Sequence, residues 1–271
     1  MKAIVVIPAR YGSTRLPGKP LLDIHGKPLI QHVYENARRA RLSEKVIVAT
    51  DDRRVFDAVM AFGGDVVMTS PEHPSGTDRI AEVVKDMSVE VVVNLQGDEP
   101  MIMPDMIDDV ITILFEDKKA DMGTLVKKID NIADVMNPNV VKAVFDKEGF
   151  AMYFSRSPVP FYRDMFAINP LNKDESDKEV VFRFSCLPDG NYRFFKHIGI
   201  YSYRKDVLLQ LTDSPPTELE IAEKLEQLRA LQEGFKIKIK ETSYDTVGVD
   251  TEEDLIRVRE LLVSLLSKKI Q

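Results

Sequence analysis

The sequence has 271 residues, of which 44% are hydrophobic, and its formal net charge at pH 7 is −7. This length predicts a single globular domain over residues 1–271, and the acidic balance argues against nucleic acid as a partner, because a phosphate-backbone binder presents a basic surface. The opening apolar run is too short for a signal peptide and no stretch approaches the roughly 18 apolar residues of a membrane span, so we expect a cytoplasmic protein with no membrane partner.

The first hundred residues alternate between short apolar runs and amphipathic segments. Strands buried on both faces are predicted for four Val- and Ile-rich runs, at residues 2–7, 45–49, 65–68 and 89–95. Helices are predicted between them, at residues 28–41, 52–62 and 76–87. This alternation predicts a doubly wound α/β fold with a mostly parallel sheet, in which ligands bind at the carboxyl ends of the strands.

The second half of the chain departs from this alternation. A β-hairpin is predicted over residues 139–155, within a sub-lobe at 139–203, and the irregular, highly charged stretch 164–195 reads as a solvated insertion without chemistry. A strand at 197–203 and a single helix at 217–233 follow, the helix opening with a capping box of Thr217 and Glu220. Residues 235–241 then predict a last strand, and Thr251 with Asp254 caps a closing helix.

The loop after the first strand, "ARYGSTRLPGKP" at residues 9–20, resembles a phosphate-binding loop but is not a Walker loop. Five residues separate Gly12 from Gly18 where the Walker pattern needs four, and Pro20 stands where its Mg²⁺-binding hydroxyl belongs. Proline also removes a backbone donor, so a phosphate held here depends more on side chains. The cations available for this are Arg10, Arg15 and Lys19.

Two aspartates, Asp98 and Asp250, stand at strand-to-helix junctions. Each fits a turn or a helix N-terminus, where aspartate is favoured in any case. Together they also fit a shared Mg²⁺ site, because this hard cation takes one or two carboxylates and completes its shell with water and nucleotide phosphate oxygens. The spacing alone leaves both interpretations open.

Eight blocks of the sequence carry a more specific signal. In order they read "IPARYGSTRLPGKPL", "VATDD", "HPSGTDR", "NLQGDEPMI", "GFAMYFSRSPVP", "KHIGIYSYR", "LEQLRAL" and "GVDTEEDL". This set closely resembles the 3-deoxy-manno-octulosonate cytidylyltransferases, or CMP-Kdo synthetases, of lipopolysaccharide assembly. The resemblance runs nearly end to end and is weakest at 164–195. It implies an enzyme that joins CMP from CTP to the anomeric hydroxyl of a 2-keto-3-deoxy sugar acid and releases pyrophosphate.

The resemblance also implies roles on the nucleotide side. Arg10 and Lys19 would neutralise the β- and γ-phosphates, which become the departing pyrophosphate, so their charge acts where negative charge develops. Arg15 would hold the α-phosphate or the loop itself, and Ser13 would donate to a phosphate oxygen. The remaining nucleotide contacts would come from the backbone after the first strand and from segment 75–79, namely Pro8, Ala9, Ser75 and Arg79.

The metal and sugar sites follow from the same resemblance. Asp98 and Asp250 match the family's Mg²⁺-binding aspartates, and a homodimer is implied. Arg156 suits a carboxylate, because a guanidinium binds it with two parallel hydrogen bonds. The positions that would bind the sugar acid are Gln96, Arg156, His197, Tyr201 and Glu226.

Other functions stay open at this point. One is activation of another acidic sugar, such as an acylneuraminate or an amino-substituted Kdo; Pro20 after Lys19 favours the Kdo branch, since acylneuraminate enzymes usually carry Asn after this lysine. A sugar-1-phosphate nucleotidyltransferase would have a more glycine-rich loop. A non-catalytic nucleotide-binding protein would have no need of Lys19, Asp98 and Asp250 together.

Overall fold

A computed structural model of the chain describes residues 2–12, 16–163, 166–170, 178–182 and 193–268. Its strands are β1 (Ala3–Pro8), β2 (Asp23–Ile24), β3 (Lys27–Pro28), β4 (Lys45–Thr50), β5 (Val66–Met68), β6 (Val91–Leu95), β7 (Met122–Lys128), β8 (Lys142–Phe145), β9 (Ala151–Ser155), β10 (Phe166–Pro170), β11 (Lys178–Phe182), β12 (Phe195–Arg204) and β13 (Ile237–Glu241). Its helices are α1 (Leu29–Ala37), α2 (Arg53–Ala61), α3 (Gly76–Val84), α4 (Pro104–Glu116), α5 (Ile132–Met136), α6 (Lys205–Asp213), α7 (Glu218–Glu223), α8 (Gln227–Gln232) and α9 (Glu252–Lys268).

The central sheet has the strand order β13-β7-β12-β6-β1-β4-β5, and β8 and β9 extend it beside β12. Strands β6, β1, β4 and β5 run parallel to one another, as the apolar runs of the first hundred residues predicted. Strand β12 is antiparallel to both of its neighbours, β6 and β7. The predicted mostly parallel sheet and the predicted hairpin of β8 and β9 are therefore both confirmed.

Helices pack on both faces of this sheet. On one face, the apolar sides of α1, α2, α4 and α9 bury residues such as Ile30, Val59 and Val110 against β1 and β6. On the other face, α3, α6 and α8 bury residues such as Val84 and Leu208. Each fully buried side chain of this kind contributes roughly 1.5–3 kcal/mol of transfer free energy, so the two cores fix the strand ends that carry the site.

The prediction of a single helix at 217–233 is wrong. Helix α7 ends at Glu223, Lys224 takes a left-handed conformation with φ of 54°, and α8 begins after Glu226. A continuous helix would direct the backbone N–H of Gln227 to the carbonyl of Glu223. Instead, the Arg156 Nε donates to that carbonyl at 2.7 Å, so a tertiary hydrogen bond replaces the helical one.

The stretch 164–195 contains more regular structure than its charge predicted. Strands β10 and β11 pair antiparallel, from Phe166 opposite Phe182 to Pro170 opposite Lys178. Each strand contains three consecutive apolar residues, and the run of charged residues in this stretch begins between the two strands in the sequence. Within the described part of the chain, no helix combines the length and apolar character needed to cross a membrane.

Candidate active site

A cleft of about 340 Å³ opens where β1 and β6 end. Because these strands are parallel neighbours, their carboxyl ends bring the loop after Pro8 next to the loop after Leu95. The cleft is lined by Pro8, Ala9, Arg10, Gly12, Lys19, Pro20, Gln96, Gly97, Asp98 and Asp250. Both aspartates and two of the cations named from the sequence therefore face one space.

Two glycines shape the backbone that forms this cleft. A Cβ on Gly97 would lie 2.9 Å from the carbonyl oxygen of Pro8, so a larger residue would force the two loops apart. Gly18 has φ of +69° and lies against the ring of Tyr11, and it leads into a single 3-10 turn at Lys19–Leu21. This turn sets the direction in which Lys19 leaves the backbone.

Lys19 lies between the two aspartates. Its Nζ is 2.6 Å from Asp98 Oδ2 and 3.0 Å from Asp250 Oδ1. The backbone fixes both partners: the Val249 N–H donates to the Asp98 carbonyl, and the Asp250 N–H donates to Asp254 in the cap of α9. The two carboxylates thus converge on one cation although 151 residues separate them along the chain.

Burial by itself would lower the pKa of Lys19, but the charge and hydrogen bonds of Asp98, together with those of Asp250, raise it above its usual value. The side chain is only 16% exposed. Lys19 therefore remains an ammonium group at neutral pH and carries its positive charge into the cleft.

The donor set at Asp98 and Asp250 fits Mg²⁺. Two carboxylates that reach one ammonium offer hard oxygen ligands to one point, and Mg²⁺ typically takes one or two carboxylates plus water and phosphate oxygens. The described residues hold no cluster of three or more His, Cys, Asp or Glu side chains that would make an all-protein metal cage. The site therefore suits a cation that substrate phosphates help to bind.

Glu99, which follows Asp98, adds an unusual carboxyl group beneath the cleft. Burial and then the neighbouring Asp98 charge raise the pKa of Glu99 to about 8. The Oε2 atom of Glu99 is buried and has no hydrogen-bond partner among the described residues. The Oε1 atom packs close to Gly248, since a Cβ added to this glycine would lie only 3.2 Å from it. At neutral pH Glu99 is therefore mostly protonated and adds little negative charge beside the two aspartates.

The residues predicted to contact the nucleotide lie in different places. Arg10 lines the cleft, and its Nη2 donates to the carbonyls of His73 and Ser75, which ties the loop before α3 to the loop after β1. Ser75 caps α3. Arg79 is fully buried and pairs with Asp51 at 2.7 Å, so it is not among the cleft-lining residues. Ser13 and Arg15 lie outside the described residues.

Four of the five predicted sugar-binding residues are neighbours. Strand β12 pairs with β6 so that Tyr201 lies opposite Asn94, and the Gln96 amide donates to the Asn94 side chain at 2.9 Å. The rings of His197 and Tyr201 are 5.2 Å apart. Burial raises the pKa of Glu226, which accepts from Ser75 Oγ at 3.4 Å, so this acid faces the N-terminus of α3.

The fifth residue, Arg156, is engaged with backbone carbonyls. Its Nε donates to Glu223 at 2.7 Å, Nη1 to Pro138 at 3.0 Å and Nη2 to Lys224 at 3.4 Å. Three of its five N–H groups are thus used, and two are left to meet a carboxylate. The predicted role of Arg156 in binding the sugar acid stays a prediction.

Sequence reasoning missed the residues that support this region. Buried Lys142 donates to the carbonyls of Asn137, Val140 and Arg156, which holds the segment carrying Arg156 in place. Thr124 contacts the His197 ring. The position of Lys142, a charged residue inside the predicted hairpin 139–155, could have indicated its role. Thr124 lies within a strand like many other threonines, and nothing in the sequence indicates its role.

His197 makes the stability of the protein depend on pH. Burial lowers the pKa of His197 to about 3, against 6.5 in an unfolded chain. The folded state therefore binds fewer protons, so the free energy of unfolding falls as pH drops through 6.5 and continues to fall towards 3. The full shift corresponds to about 5 kcal/mol, and we expect roughly half of that because the ring keeps some contact with water.

Urea denaturation of the wild type and of His197→Gln at pH 7.5 and pH 4.5 checks this expectation. The wild type should lose more stability on acidification than the variant does. Equal losses in the two proteins would show that His197 is not held neutral.

Comparisons with known proteins agree with this geometry. The cytidylyltransferase family model matches residues 4–239. A 3-deoxy-manno-octulosonate cytidylyltransferase of Geobacter sulfurreducens is 52% identical over 97% of this chain and all of its own length. The enzyme of the same name from Thermodesulfovibrio yellowstonii is 48% identical over 94% of this chain and 96% of its own length.

Solved structures give the same result. A CMP:2-keto-3-deoxy-manno-octonic acid synthetase complexed with CTP has a TM-score of 0.84 and 43% identity, and the match covers 97% of this chain and 99% of that one. A 4-diphosphocytidyl-2C-methyl-D-erythritol synthase from Anaerococcus prevotii, at 13% identity and a TM-score of 0.59 over 96% of both chains, shares the fold alone. By family model, sequence and structure, the chain belongs to the cytidylyltransferases, and within them to the 3-deoxy-manno-octulosonate cytidylyltransferases.

Proposed function

We propose that this chain transfers CMP from CTP to the anomeric hydroxyl of 3-deoxy-manno-octulosonate (Kdo), giving CMP-Kdo and pyrophosphate for lipopolysaccharide biosynthesis. The observation that carries the proposal is full-length identity of 52% to an enzyme of that name. The cleft at the ends of β1 and β6, with Lys19 between Asp98 and Asp250, has the charges that this reaction needs.

The reaction is a displacement at the α-phosphorus. The sugar hydroxyl oxygen forms the new P–O bond and loses its proton, while the bond to the β-phosphate oxygen breaks and pyrophosphate takes the electron pair. In this proposal Arg10 and Lys19 lie along the triphosphate and stabilise the charge that grows on the leaving group. Lys19 suits this role because it brings an ammonium group into the cleft beside Asp98 and Asp250.

Asp98 and Asp250 are the residues that would hold Mg²⁺. When bound, the ion would polarise the α-phosphate and lower the pKa of the attacking hydroxyl. Lys19 would then have its own part, since the ammonium that pairs with both carboxylates here could meet the phosphates if another cation held those carboxylates. The protein's contribution is to keep the two carboxylates converging, through the hydrogen bonds of Val249 and Asp254.

The sugar acid would lie between β12 and the break that separates α7 from α8. His197, Tyr201, Gln96 and Glu226 would address its hydroxyl groups, and Arg156 its carboxylate. A site of this kind discriminates between sugars because a missing hydroxyl leaves buried polar groups unpaired. Gln96 also lines the cleft, which supports a sugar site next to the triphosphate.

Arg156→Lys should lower kcat/KM for the sugar acid by about 10- to 150-fold, which corresponds to roughly 1.5–3 kcal/mol, the scale of a hydrogen bond to a charged group. A lysine keeps the charge, but one ammonium cannot replace a guanidinium that meets three carbonyls and a carboxylate. Steady-state kinetics with each substrate varied in turn measures the effect.

CTP affinity should hardly change in this variant, and Arg163→Lys, on the exposed segment that follows, serves as a matched control. If CTP binding weakened while the KM for the sugar stayed unaltered, Arg156 would have to be assigned to nucleotide binding instead of sugar binding.

We further propose a cytoplasmic homodimer that contacts through the hairpin of β8 and β9. Among the described strands, β9 pairs with β8 alone, and its Met152 is 65% exposed. An edge strand of this kind is usually covered in the native assembly. Light scattering at micromolar concentration tests the assembly, and a monomer there would reject it.

Pyrophosphate release with CTP, UTP and ATP, each against Kdo, an amino-substituted Kdo, N-acetylneuraminate and a sugar 1-phosphate, tests the function. CTP with Kdo should give the highest kcat/KM by at least about tenfold. Higher turnover of CTP with another of these acids would support cytidylyl transfer but would show that Kdo is not the preferred sugar acid. Higher turnover of UTP with a sugar 1-phosphate would overturn the proposal.

A further inference from the structure

Strand β12 carries a bulge next to His197. The pairing with β7 runs from His197 opposite Val126 to Ile198 opposite Leu125, and then resumes at Tyr201 opposite Thr124. Two residues of β12 therefore have no partner in β7, and the buried side chain of Thr124 lies beside this bulge. Its hydroxyl is 3.0 Å from His197 Nε2, 2.8 Å from the Ile200 carbonyl oxygen and 3.3 Å from that of Ile198.

The Thr124 hydroxyl has one proton for these three contacts. Both carbonyl oxygens can only accept a hydrogen bond, and 2.8 Å is the usual distance of an O–H···O bond. The proton therefore belongs between Thr124 and Ile200. A lone pair of the same hydroxyl then faces His197, so the Nε2 atom must carry a hydrogen in order to make its 3.0 Å contact.

The opposite arrangement is unfavourable. If Thr124 donated its proton to His197 Nε2, its oxygen would face the Ile200 carbonyl at 2.8 Å with no hydrogen between them. A buried acceptor that is left without a hydrogen bond destabilises the folded state. Burial lowers the pKa of His197 to about 3, so the ring is neutral at working pH and has one protonated nitrogen.

The other ring nitrogen is then an acceptor. No atom of the described residues makes a hydrogen bond to His197 Nδ1, while the ring is held between Phe154 and Tyr201 at centroid distances of 5.0 and 5.2 Å. We propose that Thr124 is a positioning residue that fixes His197 as the Nε2–H tautomer, so that Nδ1 accepts a hydrogen bond from a hydroxyl of the sugar acid. The second half of this statement rests on the proposed function, which places the sugar at His197.

The tautomer is measured without any substrate. Long-range ¹H–¹⁵N spectra of the full chain with ¹⁵N-labelled histidine distinguish protonated from unprotonated ring nitrogens, and His197→Gln identifies the signals of His197. The wild type should show Nε2 protonated and Nδ1 unprotonated. Thr124→Val should shift the ring towards the other tautomer, and Thr124→Ser should keep the wild-type pattern.

Kinetics then connects the tautomer to the substrate. Thr124→Val should raise the KM for Kdo about tenfold with little change in the KM for CTP, and Thr124→Ser should restore it to within about twofold. Thr112→Val, which removes a hydroxyl that donates to the Asp108 carbonyl in α4, is the matched control and should change neither KM.

The outcomes separate this inference from the proposed function. A wild-type His197 protonated at Nδ1 overturns it, and that spectrum decides even if Thr124→Val fails to fold. An unchanged KM for Kdo in a folded Thr124→Val also overturns it. If the tautomer is as stated but Kdo is not a substrate, the proposed function fails while the assignment of Thr124 to the His197 tautomer stands.

Discussion

Replacing Lys19 with alanine is expected to lower kcat by about 10²–10³-fold, which is the usual cost of removing one group that stabilises charge in a transition state. Lys19 is the cation that meets both Asp98 and Asp250, and the turn at Lys19–Leu21 directs it into the cleft. Without it, negative charge grows on the departing pyrophosphate with one cation fewer to receive it. Single-turnover measurements of pyrophosphate release at saturating CTP and sugar give this rate directly.

Two further variants make the Lys19 result specific. Lys19→Arg keeps the charge but not the shape, and should retain part of the activity. Lys27→Ala removes a lysine that pairs with Glu35 at 2.6 Å on the surface, and should leave kcat unchanged. If Lys19→Ala raised only the KM for the sugar, Lys19 would be a sugar ligand and its assignment to the leaving group would be wrong.

Asp98→Asn and Asp250→Asn are each expected to lower turnover at least about 100-fold while the free energy of unfolding changes by less than about 1.5 kcal/mol. Neutralising either residue takes one charged ligand from the point where the two carboxylates converge, and Mg²⁺ relies on few carboxylates. Stability should change little, because an ammonium that loses one partner keeps the other and both side chains have access to solvent.

The measurement is turnover as a function of Mg²⁺ concentration, together with calorimetric titration of Mg²⁺ in the presence of CTP. Both variants should need more Mg²⁺ for half-maximal activity and should bind it more weakly. Asp109→Asn, which breaks an ion pair with Lys240 away from the cleft, is the matched control. Normal turnover of both cleft variants at ordinary Mg²⁺ concentrations would show that the metal is held elsewhere.

Much of the fold was predictable because its first half follows a simple rule. Short runs rich in β-branched residues, such as "VVVNL", favour a strand covered on both faces, and the helices between them make the strands parallel. The same rule places Lys19 and Asp98 together, since both follow strands that are neighbours in the sheet. For Asp250, its position at a strand-to-helix junction left both a cap and a shared Mg²⁺ site open, and the resemblance to a known family favoured the metal site.

The parts that sequence patterns did not predict depend on contacts between distant residues. At the break near Lys224, Arg156, 68 residues away in the sequence, takes the carbonyl that would continue the helix. Likewise, the bulge that brings Thr124 to His197 is a property of the pairing between β7 and β12, and its local sign is a glycine, Gly199, inside β12. Local propensity cannot foresee such contacts, which are the ones that shape the sugar side of the site.

The most direct test of CMP transfer is a ³¹P NMR spectrum of the purified chain with CTP, Kdo and Mg²⁺. Attack of the sugar hydroxyl on the α-phosphorus predicts one phosphodiester signal of CMP-Kdo for each pyrophosphate released, with no signal of CDP. Pyrophosphate that accumulates with CMP in place of the diester, at the same rate with and without Kdo, would contradict cytidylyl transfer to the sugar.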